Sequence, residues 1–131
     1  MKLGTLLTIG AVLAFLYGLA LVVIPEPFLA FYAVTLPAPV PPLGTVLVYR
    51  LFGAALVGFA LMNWFARNAP ASDARRAIVI ANFGADSLGF VLSAWGMLQP
   101  AVNALGWTTV VVYLLLASGF GYSLFVAKAD S

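Results

Sequence analysis

The sequence lacks cysteine and histidine, and it carries few charges. Of its 131 residues, six are Lys or Arg and four are Asp or Glu. The missing residue types exclude disulfides, thiol nucleophiles, histidine bases and the usual ligands of zinc, iron–sulfur clusters and haem. Four acidic residues spread along the chain also argue against an oxygen-ligand metal cage. We therefore expect no metal, no cofactor and no enzymatic activity.

The low charge content indicates a membrane protein. Charged residues make up 8% of the chain and hydrophobic residues 64%, whereas soluble domains contain about 25% charged residues. So few charges cannot cover a globular surface in water, and a net charge of +2 is too small to favour nucleic acid. The composition predicts one integral membrane domain over residues 1–131, with the lipid bilayer as its main partner.

Four apolar runs are each long enough to cross a ~30 Å hydrocarbon core as a helix. They cover residues 3–24, 44–66, 76–98 and 104–126. None shows the polar–apolar alternation of a membrane strand. The first run is roughly twice as long as the apolar part of a signal peptide, so we expect a retained helix. The predicted fold is an all-α, integral membrane four-helix bundle.

The three connections differ in composition. Residues 25–43 are rich in proline and aromatic residues, which favours an interfacial segment followed by an extended connector; a re-entrant segment is the alternative. Residues 67–75 form the one hydrophilic stretch of any length. The short turn at 99–103 predicts that the third and fourth runs are antiparallel neighbours.

The basic residues outside the apolar runs lie at one end of this topology. They are Lys2, Arg67, Arg75, Arg76 and Lys128, whereas 25–44 and 99–103 contain none. The positive-inside rule then predicts that both termini and the 67–75 connection are cytoplasmic. The segment YRLFGAALVGFALMNWFAR at 49–67 resembles small bacterial membrane proteins. That resemblance implies a bacterial inner (plasma) membrane and no particular activity.

Two charged residues interrupt apolar runs, Arg50 in the second and Asp86 in the third. At about 1.5 Å per residue from the outer ends, Arg50 lies about 9 Å deep and Asp86 about 18 Å. An unpaired charge at such depth is costly, so we predict a buried Arg50–Asp86 ion pair, with the hydroxyls of Tyr17 and Tyr113 completing its hydrogen bonds. The pair could fix helix register, or it could bind an ion, a proton or a polar headgroup.

In an alternative arrangement, Glu26 at the outer interface holds Arg50, and Asp86 bonds to Asn82 one turn away. Asn82 also lies at a depth similar to that of Asn63 in the second run. We predict a hydrogen bond between the two asparagines as a contact between helices rather than a ligand site.

Small side chains recur every fourth residue on three runs, a pattern that allows helices to approach closely. They are Gly10, Ala14 and Gly18 on the first run, Ala54 and Gly58 on the second, and Ala81, Ala85, Gly89 and Ser93 on the third. These stripes could pack within one chain or against a partner.

Three functions fit these patterns. We expect first an accessory or assembly subunit that packs against other membrane proteins or against itself. The alternative is a small oligomeric transporter or channel for an ion, a proton or a solute, using Arg50 and Asp86. The third is a binder of a lipid or an apolar small molecule, with the aromatic segment 28–36 as a lid.

Overall fold

The computed structural model describes residues 2–34, 43–99 and 102–127, and within these ranges the chain is all-α. Helix α1 spans Leu3–Val23, α2 Pro25–Phe31, α3 Leu43–Ala66, α4 Asp73–Leu98 and α5 Gly106–Tyr122, followed by a π-helical turn at Ser123–Ala127. The predicted all-α class is confirmed. Lys128 and the proline-rich residues 35–42, which the sequence analysis used, lie outside the described residues.

Four of these helices are long and apolar enough to cross a membrane. Within the described residues they run 21, 23, 26 and 22 residues, the last including the π-helical turn. A crossing helix needs about 20 residues. The four predicted spans are therefore confirmed as helices of spanning length.

Helix α2 lies at the start of the predicted interfacial segment 25–43. Its prolines stand in the first turn, at Pro25 and Pro27. Proline is tolerated there because first-turn N–H groups have no helical acceptor in any case. The helix ends before Ala33, whose φ of 56° is left-handed. Proline therefore ends α1 and also starts a short helix.

Helix α4 begins three residues earlier than predicted because Ser72 caps it. The Ser72 hydroxyl oxygen accepts a hydrogen bond from the Arg75 backbone N–H at 3.2 Å. Such a cap satisfies one of the four N–H groups that a helix start leaves free. As a result, Arg75 lies inside the helix rather than in the connection.

The long helices form two antiparallel pairs, α1 with α3 and α4 with α5. In the first pair, Gly18 and Gly53 bring the backbones together: a Cβ added to either glycine would lie 2.7 Å from the carbonyl oxygen of the other. In the second pair, the ring of Tyr113 covers Gly89, and Phe83 lies against Gly121. The predicted antiparallel packing of the third and fourth spans is confirmed.

The two pairs meet in an apolar core at the end of the bundle that carries Lys2 and the α3–α4 connection, called here the basic end. This core contains Leu3, Leu6, Leu7, Ala66, Val79 and Phe120. At the opposite end, Asn103 ties the α4–α5 connection to the end of α2. Its backbone N–H donates to the Tyr32 carbonyl and its side-chain amide to the Phe31 carbonyl, both at 3.0 Å.

Candidate functional site

A buried pair of asparagines lies where the two helix pairs meet. Asn63 on α3 is 2% exposed and Asn82 on α4 is 6% exposed. Their side-chain amides exchange hydrogen bonds of 3.0 and 2.8 Å, and Asn82 also donates to the Ile78 carbonyl at 2.8 Å. Gly10 on α1 and Phe120 on α5 complete the surroundings, since a Cβ on Gly10 would lie 3.3 Å from the Asn63 amide nitrogen.

The predicted Asn63–Asn82 hydrogen bond is therefore present. Each side-chain oxygen accepts one bond and each amide nitrogen donates at least one. Such a reciprocal pair holds helices together and satisfies groups that lipid cannot hydrogen-bond. The bonded geometry favours a structural role over ligand contact.

Asp86 lies one turn beyond Asn82 on α4 and is also buried, with 9% of its surface exposed. Its Oδ2 atom is shielded from solvent and has no hydrogen-bond partner in the described part of the chain. The Tyr113 ring packs against Gly89, three residues further on. Residues three apart share a face of a helix, so Tyr113 lies on the same side of α4 as Asp86. The structure thus brings the Tyr113 ring close to Asp86, but neither the predicted hydroxyl hydrogen bond nor a paired cation is present among the described residues.

The predicted Arg50–Asp86 pair is not formed. Arg50 is exposed on α3, and no ion pair joins it to Asp86 or to Glu26 within the described residues. The reason is helix register. The asparagine pair sets Asn63 level with Asn82, so Asp86 is level with about Phe59, and Arg50 lies about 13 Å further along α3.

Tyr17, the other hydroxyl assigned to that pair, has a different partner. Its hydroxyl lies 2.7 Å from the hydroxyl of Tyr32. The Phe28 ring stands edge-on to Tyr17, with ring centres 5.5 Å apart, and packs at 5.6 Å against Tyr32. These aromatic contacts fasten α2 to α1. Phe28 and Tyr32 of the predicted 28–36 lid thus pack against α1, while residues 35 and 36 lie outside the described residues.

The small-residue stripes divide into packed and open positions. Gly10, Gly18 and Gly89 are packed against other helices, and Ala14 and Ser93 are half-buried. By contrast, Ala54, Gly58, Ala81 and Ala85 are exposed, and no atom would lie within 4 Å of a Cβ added to Gly58. The stripe on α1 therefore packs within the chain, whereas the one on α3 and the first half of the one on α4 face outward.

Sequence reasoning missed several residues that the structure singles out. Gly53 provides the closest approach between α1 and α3, and Tyr32 and Asn103 tie the ends of α2 and the α4–α5 connection together. Asn103 could have been noticed, since an asparagine just before a helix often bonds to nearby backbone. Its side-chain oxygen does accept from the Leu105 N–H at 3.1 Å.

No protein-family model, no curated protein and no solved structure matches the chain. Among the described residues, no cluster of three or more acidic, cysteine or histidine side chains could hold a metal ion. The exposed Arg50, the buried Asp86 and the outward-facing small residues are features on which a function can be proposed.

Proposed function

We propose that the protein is a non-enzymatic, multi-pass membrane protein that acts as an accessory or assembly subunit, packing against another membrane protein. Its four spanning-length helices support a membrane location. The basic residues at one end support an orientation with both termini in the cytoplasm of a bacterial inner (plasma) membrane.

The observation that carries this proposal is the outward position of Arg50. It lies seven residues into α3, about 10 Å from the helix start. It is exposed, and it forms no ion pair with any other described residue. A charged side chain facing lipid costs up to roughly 3 kcal/mol on the insertion scale. A carboxylate on a neighbouring membrane helix would offset that cost.

The surface next to Arg50 suits a closely packed helix. Ala54 and Gly58 follow at intervals of four residues, and both are exposed. Small side chains with this spacing allow a second backbone to approach closely. The expected partner is therefore a transmembrane helix with an acidic residue at the depth of Arg50. That depth is the third of the membrane farthest from the basic end.

Site-specific photo-crosslinking in membranes tests this proposal. A photoreactive residue at position 54 should give a protein adduct, while one at Leu115, which is 65% exposed on α5, serves as the matched control. Mass spectrometry would identify the crosslinked helix and its acidic residue. Arg50→Glu should abolish the adduct, and exchanging the partner's acid for Arg should restore it.

Two outcomes would contradict the proposal. Adducts to lipid alone at position 54 would show that no helix covers this face. An adduct unaffected by Arg50→Glu would show that the charge does not select the partner, and that Arg50 instead extends along the helix to the membrane surface.

A second candidate function is transport of a proton or another cation through Asp86. It is favoured by the buried Oδ2 atom that has no hydrogen-bond partner among the described residues. An ionisable residue at membrane depth often marks an ion or proton path. In this candidate function Asp86 acts alone. The transport alternative predicted from the sequence uses Arg50 and Asp86 together.

Liposome flux measurements test this candidate. Reconstituted wild-type protein should carry protons or monovalent cations above the rate of empty liposomes. Asp86→Asn should abolish the flux while leaving thermal unfolding unchanged, and Ser87→Ala on the same helix provides the control. Wild-type flux no faster than that of empty liposomes would rule the candidate out.

A further inference from the structure

A cavity of about 800 Å³ opens at the basic end, between the start of α1 and the α3–α4 connection. Its polar lining comes from Lys2, Thr5 and Thr8 on one side and from Arg67, Asn68 and Arg75 on the other. Three of these six residues are cations, and no described Asp or Glu lines the cavity. The charge of the cavity is therefore strongly positive.

Arg75 is the buried member of this lining, with 9% of its surface exposed. Its Nη2 atom donates to the Arg67 carbonyl oxygen at 3.5 Å, which is long for a hydrogen bond. Its Nε atom is shielded from solvent and has no partner among the described residues. A guanidinium offers five N–H donors, and buried charges are normally paired. Arg75 is therefore held in place by one long hydrogen bond, while its Nε atom lacks an acceptor among the described residues.

Contacts around the cavity hold its hydrogen-bond donors in place. Helix α1 starts directly on the α3–α4 connection, since a Cβ added to Gly4 would lie 2.7 Å from the Arg67 carbonyl oxygen. The Arg67 guanidinium stacks over the Trp64 ring, with Cζ 3.5 Å from the ring centre. The Thr5 and Leu6 amides are bonded to the Lys2 carbonyl oxygen. The backbone N–H groups of Leu3 and Gly4 precede them in the first turn of α1. N–H groups in a first turn have no acceptor within the helix, so they attract anions.

We infer that this cavity binds a phosphate-bearing anion, either the headgroup of an anionic lipid or free phosphate. A phosphate offers several acceptor oxygens, which suit the guanidinium of Arg75, the ammonium of Lys2 and the first-turn amides of α1. The cavity lies at an end of four spanning-length helices, at the level where lipid headgroups lie. This site shares no residue with the proposed partner surface at Arg50, so each can be tested alone.

The first test compares ligands on the full chain purified in mild detergent. Thermal unfolding and native mass spectrometry are measured with phosphatidylglycerol, phosphatidylcholine and inorganic phosphate. Phosphatidylglycerol should raise the Tm and remain bound through detergent removal, whereas phosphatidylcholine should do neither. An equal response to inorganic phosphate would identify free phosphate as the ligand. Equal responses to both lipids, or no response to any phosphate compound, would overturn the inference.

The second test uses variants with a matched control. Arg75→Gln should weaken phosphatidylglycerol binding by about tenfold or more, because charge-assisted hydrogen bonds are lost. Arg76→Gln removes the same charge from the exposed neighbour outside the cavity, and it should leave binding unchanged within about twofold. An equal loss in both variants would indicate general surface attraction and would contradict the site.

Lys2→Gln keeps the test valid if Arg75→Gln does not fold. Lys2 is exposed, so its replacement leaves the packing of the bundle intact. It should weaken binding by about fivefold, in line with the contribution of one basic residue near an anionic surface. If Arg75→Gln does not fold, unchanged binding in Lys2→Gln would overturn the inference; if it folds, unchanged binding in both variants would do so.

Discussion

The Asn63–Asn82 pair provides a quantitative prediction about how the two helix pairs are held together. Leucine has the same branched arrangement of heavy atoms as asparagine, although it is larger, and replacing either residue with it removes both reciprocal hydrogen bonds. The two replacements differ in what they leave behind. Asn82→Leu leaves both amide groups of Asn63 without these partners, whereas after Asn63→Leu the Asn82 amide nitrogen still donates to the Ile78 carbonyl at 2.8 Å.

The magnitudes follow from these groups. A buried polar group left unsatisfied costs about 1–3 kcal/mol, and interhelical hydrogen bonds in membrane proteins contribute about 0.6 kcal/mol on average. We expect Asn63→Leu to lower the free energy of unfolding by about 1–2 kcal/mol and Asn82→Leu by about 2–4 kcal/mol. The double variant leaves neither amide unsatisfied. It should be more stable than the sum of the single effects by about 1–3 kcal/mol.

Equilibrium unfolding in mixed micelles, followed by far-ultraviolet circular dichroism, measures all four proteins of this cycle. Asn68→Leu is the control, because Asn68 is exposed in the connection after α3, and it should change stability by less than about 0.5 kcal/mol. The reasoning fails if the two single effects simply add in the double variant. It also fails if Asn63→Leu is the more costly single replacement.

Three further predictions concern helix packing and capping. Gly53→Ala should destabilise the α1–α3 pair by about 1–3 kcal/mol in thermal unfolding, because its Cβ would lie 2.7 Å from a backbone carbonyl oxygen. Gly58→Ala on the same helix is the control. No atom lies within 4 Å of its Cβ, so it should be neutral or stabilising. Ser72→Ala should cost about 1 kcal/mol through loss of the α4 cap, and Ser72→Asp should retain wild-type stability; equal losses in both would argue against capping. Gly89→Ala should displace the Tyr113 ring, which lies 2.5 Å from the added Cβ, and the change should appear in near-ultraviolet circular dichroism; an unchanged spectrum would contradict this packing.

The four long helices could be predicted from sequence because a single property, apolar length, determines them. Each run exceeds the thickness of the hydrocarbon core, and the bilayer forces the backbone to satisfy its own hydrogen bonds. Helix α2 could not be predicted in the same way. Pro25 and Pro27 are breakers inside a helix but are compatible with its first turn, so their effect depends on where the helix starts.

The position of Arg50 could not be predicted because depth and register are different quantities. Counting residues from the end of a run estimates how deep Arg50 and Asp86 lie in a membrane. It does not determine which helices are in contact or how they are shifted. The Asn63–Asn82 bonds set that register, and α3 packs chiefly on α1 rather than on α4.

The stripes of small residues illustrate a related limit. Spacing of four residues identifies a face of a helix but not what lies against that face. On α3, Gly53 packs against α1, while Ala54, the next residue, is exposed. Adjacent residues on a helix differ by about 100° in direction, so a difference of one position separates an internal contact from an open surface.

The separation of Arg50 from Asp86 determines how the two candidate functions relate. In a shared ion pair, changing either residue would leave the other charge unpaired, so both variants would show the same defect. In this structure Arg50 is exposed on α3, and Asp86 is buried on α4 beside Tyr113. A partner helix that neutralises Arg50 therefore gains nothing from Asp86, and cation movement at Asp86 does not require Arg50. Loss of partner contact in Arg50→Glu should leave any flux through Asp86 unchanged, and loss of flux in Asp86→Asn should leave the crosslink at position 54 intact.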